Sequence, residues 1–457
     1  MGKMQKRRIY ALTGLPPEVV AVTFAKCSRS SEPFDKIAAE LNADKSRKFH
    51  EKWVVGYGHS SVAEHAVLSL AIENVSILAT KVIEDNRLAS FTEKSTRYQV
   101  FDKERYYKPE NLMKSRFAKL YEETADFIMD AYTRLFPLMT NFLKKKYPNA
   151  QEIEIKNMAC DNLRYLLPTA ALTNLGMTVN ARNLEWGIVK LLTHPLKEMQ
   201  EIGEELKEAA LKMTPTLIKY TKFNEYLGET IKSMENLSLK KLSILDNKIK
   251  NKQGVALVEY DTDAEDKIVA ALLYRFSKLP YEQIKTEVKS MKKEEKEKII
   301  DEALKRLDKF DRPLRELEHI YFTFDVLMDY GAFRDVQRHR MCTQTNQEFT
   351  VEHGYSVPKE INEAGFIEDF IACMEKAKKA YLQIVKEFPK EAQYIIPLAY
   401  NKRLLMTINL RELFHFIKLR SSKMGHISYR KIAWEMHDLV KERLPLLAKY
   451  IECDKAS

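Results

Sequence analysis

Neither Gly-x-Gly-x-x-Gly nor Gly-x-x-x-x-Gly-Lys-Ser/Thr occurs in the 457 residues, and the whole chain holds 13 glycines. Rossmann and P-loop sites both need glycine-rich turns that bring backbone N–H groups close to phosphate, so both readings fail. Cysteine is scarce too. Cys27, Cys160, Cys342, Cys373 and Cys453 are odd in number, widely spaced and without a C-x-x-C pair, which argues against a disulfide framework or a cysteine-rich zinc site and for reduced thiols. No apolar run approaches the roughly 20 residues that span a bilayer, and basic Met1–Tyr10 is not followed by an apolar signal segment. A cytoplasmic chain without membrane contact is expected.

What is present is ordinary globular material, 45% apolar and 31% charged, in a chain longer than a single core usually serves, so two domains are expected. The net charge, 75 − 65 = +10, suits an anionic ligand such as a nucleotide phosphate. It also permits nucleic acid, although no recognised RNA-binding module occurs. Lys289–Lys298 reads as an exposed charged helix.

Along the chain, Ile9–Leu15 is strand-like, and Glu18–Cys27 is helical after Pro16-Pro17. Ala66–Ile77 fits a strand or a buried helix. Ser115–Lys146 is a long amphipathic helix, followed by helical Gln151–Leu167, Asn180–Leu192 and Leu196–Met213, with breaks near Pro148, Pro168 and Pro195. The chain turns polar over Ser238–Lys252. A strand-like run restarts at Gly254–Tyr260, followed by helical Ala264–Ser277 and charged Lys292–Phe310. We place the domains at 1–250 and 251–457.

The second half repeats the order of the first. Glu64-His65 pairs with Glu318-His319 (318 − 64 = 254), Arg87 with Arg340 (340 − 87 = 253), and Asn180-Ala-Arg182 with Asn409-Leu-Arg411 (409 − 180 = 229). The first copy therefore carries an insertion before its Asn-x-Arg, in the kind of place where insertions are tolerated.

Two clusters carry chemistry. Arg338-His339-Arg340 follows an apolar run, and packed arginines need anionic or planar acceptors, met by a ligand or by a structural network of carboxylates. Glu93-x-Ser95-x-Arg97 alternates an acceptor, a hydroxyl and a bidentate donor, which an extended segment would present on one side. His59-Ser60-Ser61-x-x-Glu64-His65 offers metal-ligand types without the H-E-x-x-H spacing or a third nearby ligand, so no metal is expected.

These residues closely resemble the flavin-dependent thymidylate synthases (ThyX family), whose signature is R-H-R-x-x-S-x-N-E-x-S-x-R-Y. In the first half the resemblance lies in His59-x-Ser61-x-x-Glu64-His65, in residues 85–98 (D-N-R-L-A-S-F-T-E-K-S-T-R-Y) and in Asn180-Ala-Arg182. In the second half it lies in Glu318-His319, Arg338-His339-Arg340 and Asn409-x-Arg411 running on into H-F-I-K-L-R. It covers nearly the whole chain as two tandem, divergent copies. It implies an α/β (α+β) fold of two ThyX-like units, each a small mixed sheet with long helices. It further implies FAD as cofactor, dUMP as substrate, and methylenetetrahydrofolate and NADPH as cosubstrates in the reductive methylation of dUMP to dTMP. Family members are tetramers with sites between subunits, so a homodimer of this double-length chain is expected.

Carried over by position, the resemblance divides one nucleotide site between the copies. The first keeps Glu93, Ser95, Arg97 and Arg164 but has Asp85, Asn86 and Thr92 at signature positions, and Leu191 where the family has a nucleotide-binding arginine. The second keeps Arg338, His339, Arg340 and Arg420 but has Asn346, Glu348, Thr350 and Gln393 where the first keeps its set. The resemblance therefore assigns substrate binding to Glu93, Ser95, Arg97, Arg164, Arg338 and Arg420, with Arg338 and Glu93 in the catalytic positions. Flavin binding falls to His59, Ser61, Glu64, Asn180, Arg182, His339, Arg340, Asn409 and Arg411. Pro313 and Arg315 replace a His and a Ser of the flavin set, and Trp186 and His415 replace an Asn. Two other readings remain open: flavin-dependent C5 modification of another uridine nucleotide or RNA, and an inactive pyrimidine-nucleotide-binding homologue.

Overall fold

The computed structural model describes residues 7–41, 43–52, 60–242 and 254–455. It divides into two compact units, Met1–Lys94 with Leu172–Asn247, and Ser95–Ala171 with Lys248–Ser457. The helical segment Ser95–Ala171 belongs to the first repeat in sequence yet packs with the second repeat's residues. No helix among the described residues is long and apolar enough to cross a membrane.

In the first unit, β1 (Val67–Ser76), β2 (Ala89–Glu93) and β3 (Leu172–Asn180) form an antiparallel sheet in the order β1-β3-β2. Thr173, Leu175, Met177 and Val179 of β3 alternate inward, the period-two pattern of a sheet with one packed face. In the second unit, β4 (Gly254–Tyr260), β5 (Tyr321–Asp329), β6 (Thr343–Asn346) and β7 (Asn401–Asn409) form a sheet in the order β4-β5-β7-β6. β5, an interior strand of this sheet, is buried along nearly its whole length. The α+β architecture with a small sheet in each unit is as expected, but among the described residues every strand pair is antiparallel, so these sheets are not mixed.

Register shows the duplication directly. Val67 lies opposite Asn180 and Tyr321 opposite Asn409, the same pairing 254 and 229 residues on. The offset falls from 321 − 67 = 254 at the strand starts to 329 − 76 = 253 at their ends. The extra residue of the first copy sits in the register shift between Ile72 and Val75, where Asn74 adopts φ 61°. A bulge that admits one residue, with an asparagine in the left-handed region, accounts for the change.

Four strand-to-helix joints share one local device, a short polar side chain accepting a hydrogen bond from the first helical turn. Ser76 Oγ accepts from Ala79 N (2.9 Å) and Asp329 Oδ1 from Ala332 N (2.8 Å). Asn180 Oδ1 accepts from Asn183 N (3.0 Å) and Asn409 Oδ1 from Glu412 N (2.9 Å). The repeated Asn-x-Arg is thus in part a helix start. The helices Pro17–Cys27, Ala118–Lys146, Glu152–Leu163, Ala181–Thr193, Lys197–Leu211 and Ala264–Tyr274 fall where the sequence places them. Ala66–Ile77 resolves as strand. Ile9–Leu15 does not: it is irregular, and β1 has no strand on its outer edge among the described residues, whereas its counterpart β5 is covered there by β4.

Candidate functional site

In the second unit, the turn after β2 and the helix Glu152–Leu163, both from the first repeat, meet the helix Tyr330–Val336 and the helices Leu410–Ser421 and Ile427–Arg443, from the second. Arg97 donates from Nε and Nη2 to the two oxygens of Asp161, each at 2.8 Å, and from Nη1 to Tyr429 Oη at 3.1 Å. Asp161 Oδ1 lies 3.7 Å from Arg164 Nε, and Arg164 Nη1 lies 4.0 Å from Asp335 Oδ2. Asp335 Oδ1 accepts from Arg420 Nη1 at 3.5 Å, and the Arg420 guanidinium lies 5.4 Å from the Tyr429 ring centre. Cations and carboxylates therefore alternate: Arg97, Asp161, Arg164, Asp335, Arg420. Within this row three cations alternate with two carboxylates, and the buried Asp329 also acts on Arg164.

Arg164 is the centre of this row. Its side chain is 2% exposed, and Nε and Nη2 have no hydrogen-bond partner among the described residues. A desolvated guanidinium costs several kcal/mol unless paired and bonded, so the flanking carboxylates hold the charge while two donors stay open to a further acceptor. Burial presses the Arg164 pKa down, but Asp161, Tyr165, Asp335 and Asp329 outweigh it and the group is held protonated above its usual value. Gly331 makes room: a Cβ there would lie 3.3 Å from Arg164 Nη2 and 3.0 Å from Asp329 Oδ1. His426 caps the helix Ile427–Arg443, Nδ1 accepting from Ser428 N at 3.2 Å. Burial together with the Arg164 and Arg97 charges drives its pKa down to about 3, so it is neutral. Such an arrangement has the chemistry to accept an anion.

The remaining sequence-predicted residues fall in several places. Arg338 is exposed on the turn after Tyr330–Val336, and Arg340 is partly buried. His339 is buried; its Nε2 accepts from Arg420 Nε at 2.9 Å and its Nδ1 lies 3.0 Å from Glu412 Oε1. The strand carrying Glu93 ends there, and Ser95–Tyr98 form a turn in which Ser95 Oγ accepts from Arg97 N at 3.1 Å. The alternating residues Glu93, Ser95 and Arg97 thus do not run along one extended face. In the first unit, Glu93, with its side chain 1% exposed, accepts from Thr80 Oγ1 and from Lys81 Nζ, both at 3.0 Å, and Lys81 also contacts Glu84.

Of the flavin set, His59 lies outside the described residues. In the first unit, Ser61 is exposed and Arg182 pairs with Glu64, both about half exposed. In the second unit, Arg411 donates from Nε to the Pro313 carbonyl at 2.8 Å and from Nη1 to Glu318 at 2.7 Å. Pro313 thus serves the chain with its backbone where it lacks a side-chain ligand.

Positions that depart from the signature have structural work instead. Leu191, the counterpart of Arg420, is buried, and a Cβ at Gly203 on the neighbouring helix would lie 3.1 Å from its Cβ. Gln393, the counterpart of Arg164, accepts from Phe349 N at 3.1 Å, and Lys402 donates to the Gln347 carbonyl at 2.7 Å. Burial lowers the Lys402 pKa to about 8. Sequence reasoning missed Asp161, Asp335, Tyr429, His426 and Glu412. The signal for Asp161 was its spacing, three residues before Arg164 (164 − 161), a pair the structure forms.

The fold and this site define a duplicated protein that gathers arginines from both copies. Residues 10–216 and 256–446 each match the family described as thymidylate synthase complementing protein, and the chain belongs to that family. It is 33% identical to a UPF0159 protein of Chlamydia pneumoniae over 93% of this chain and 87% of that protein. A UPF0159 protein of Thermoplasma acidophilum is 28% identical over 94% of this chain and 93% of its own length. A flavin-dependent thymidylate synthase of Clostridium tetani is 28% identical over 48% of this chain and 88% of its own length. One such enzyme thus corresponds to about half of the present chain.

Proposed function

We propose that the chain is a flavin-dependent thymidylate synthase with one composite dUMP site, its phosphate held by Arg97 and Arg164 of the first copy and Arg420 of the second. The observation that carries this reading is Arg164, a buried arginine with two open donors between arginines contributed by both copies. Bidentate, charge-assisted bonds suit a phosphate monoester better than lysines would. Arg338, exposed and close enough for its charge to act on Arg420, would contact the base.

The flavin residues fit an anionic dinucleotide in the first copy. Arg182 is half exposed on the first turn of a thirteen-residue helix, where the N-terminal dipole favours phosphate, and it is oriented by Glu64. Ser61, Glu64, Asn180 and Arg182 would hold the group, whereas Arg411 in the second copy is engaged by Pro313 and Glu318. When bound, the flavin supplies hydride transfer. The chain's own part is to fix the uracil and exclude side reactions. In the overall conversion the folate methylene becomes the 5-methyl group, the uracil C5 hydrogen leaves as a proton, and NADPH is the reductant.

The test is the absorbance of the purified protein in the flavin bands, followed by release of tritium from C5-labelled dUMP with methylenetetrahydrofolate and NADPH. Yellow protein that releases tritium supports the reading. Flavin without release from dUMP favours another uridine substrate, and colourless protein that still binds dUMP favours an inactive homologue.

A further inference from the structure

His339 sits between an arginine and a carboxylate, and the two contacts together set its tautomer. Arg420 Nε can only donate, so His339 Nε2, 2.9 Å away, must carry the lone pair. The ring proton is then on Nδ1, which donates to Glu412 Oε1 at 3.0 Å. A protonated imidazole would turn a second donor toward Arg420 and is excluded, in keeping with the burial and the Arg420 charge that hold the His339 pKa well below its usual value. Phe416 packs edge-on against the ring, with centres 4.6 Å apart, and restricts its rotation. Glu412 in turn sits on the first turn of Leu410–Ser421, with its backbone N–H bonded to Asn409 Oδ1. The cap of this helix thus anchors Glu412, and Arg420 lies two turns further along it.

His339, Glu412 and His415 also form a group with metal-ligand atoms within 4.8 Å of one another. A metal on His339 Nδ1 would put the ring proton on Nε2, against the Arg420 N–H. The hydrogen-bonded chain is therefore the better account of the cluster.

We infer that Glu412 is a positioning residue for the anion site: by holding the Nδ1–H form of His339, it keeps Nε2 as the acceptor that orients Arg420. The guanidinium is then fixed at Nε, with Nη1 turned to Asp335. The proposal rests on the dUMP reading for its consequence, while its hydrogen-bond chain is testable without any nucleotide.

Three proteins decide it: wild type, Glu412→Gln and Glu412→Leu. Glutamine keeps an oxygen acceptor for Nδ1–H, and leucine removes it at similar volume. In 15N-histidine-labelled protein without ligand, the His339 signals are expected to show Nδ1–H in wild type and Glu412→Gln, and a shift toward Nε2–H in Glu412→Leu. Titration with dUMP is expected to give affinity within about threefold of wild type for Glu412→Gln and about tenfold weaker for Glu412→Leu, the loss of roughly one hydrogen bond. Thermal unfolding identifies a variant that has merely lost its fold, and the glutamine arm remains informative then. An unchanged tautomer in folded Glu412→Leu, or an Nε2–H wild type, overturns the relay. So does a tautomer change with unaltered dUMP affinity. Wild type that shows Nδ1–H but binds no dUMP refutes the nucleotide reading and leaves the relay standing.

Discussion

Asp161→Asn probes the row of charges at its best-made contact. The carboxylate receives two 2.8 Å bonds from Arg97 and faces Arg164 at 3.7 Å. The Arg97 and Asp161 side chains are 17% and 20% exposed, so the pair lies between surface pairs worth about 0–1 kcal/mol and buried ones that cost about 3–5 kcal/mol to break. Asparagine retains one acceptor and loses the charge, and a destabilisation of about 2 kcal/mol at pH 7 is expected. The pH dependence fixes the sign. Burial raises the Asp161 pKa, but the Arg164 and Arg97 interactions outweigh it and hold the carboxyl below its usual range. A depressed folded value means that the contribution is complete above the unfolded value of about 4 and is lost as pH falls through the folded value. Urea unfolding of both proteins from pH 7 to pH 3 should therefore show a gap that is constant down to about pH 4 and narrows below it. A gap of equal size at pH 3, or none at pH 7, would refute the paired arrangement.

Gly331→Ala should weaken dUMP binding about threefold to tenfold, measured by calorimetry, because the added Cβ falls 3.0 Å from Asp329 Oδ1 and 3.3 Å from Arg164 Nη2 and crowds both; unchanged affinity would show that this packing around Arg164 does not serve binding. Tyr429→Phe keeps the ring beside Arg420 but removes the hydroxyl that accepts from Arg97. Its dUMP affinity should fall by less than that of Tyr429→Ala, and equal losses would assign the effect to the hydroxyl alone. Lys81→Met leaves Glu84 and Glu93 buried without their cation, so unfolding should be easier by about 3–5 kcal/mol. Adding Glu93→Gln should recover part of that loss, and no recovery would contradict the buried network.

Much of the fold is legible in single residues. Prolines mark the helix breaks at Pro148 and Pro195, and Asn180 and Asn409 start helices because a short amide satisfies the first-turn N–H groups. The β3 alternation is present in the sequence but is flanked by helical series on both sides. Ile9–Leu15 has strand composition but stays irregular, although the outer edge of β1 is uncovered among the described residues, so propensity alone does not make a strand. Pro137 lies inside the helix Ala118–Lys146, where the packed face of the helix overrides its local cost. Of the site, the arginines were legible because their types and spacing match a known signature. Of their carboxylate partners, Asp161 was signalled by its spacing to Arg164, whereas Asp335 is identifiable only once helices distant in sequence are brought together.

Binding of dUMP by Arg97→Ala and Arg420→Ala, one change in each copy, is the most direct measurement of the shared site. Because each arginine is fixed in the same row around Asp161, Arg164 and Asp335, calorimetric titration should show binding abolished in both folded variants. Wild-type affinity in either would contradict a nucleotide site built from both halves of the chain.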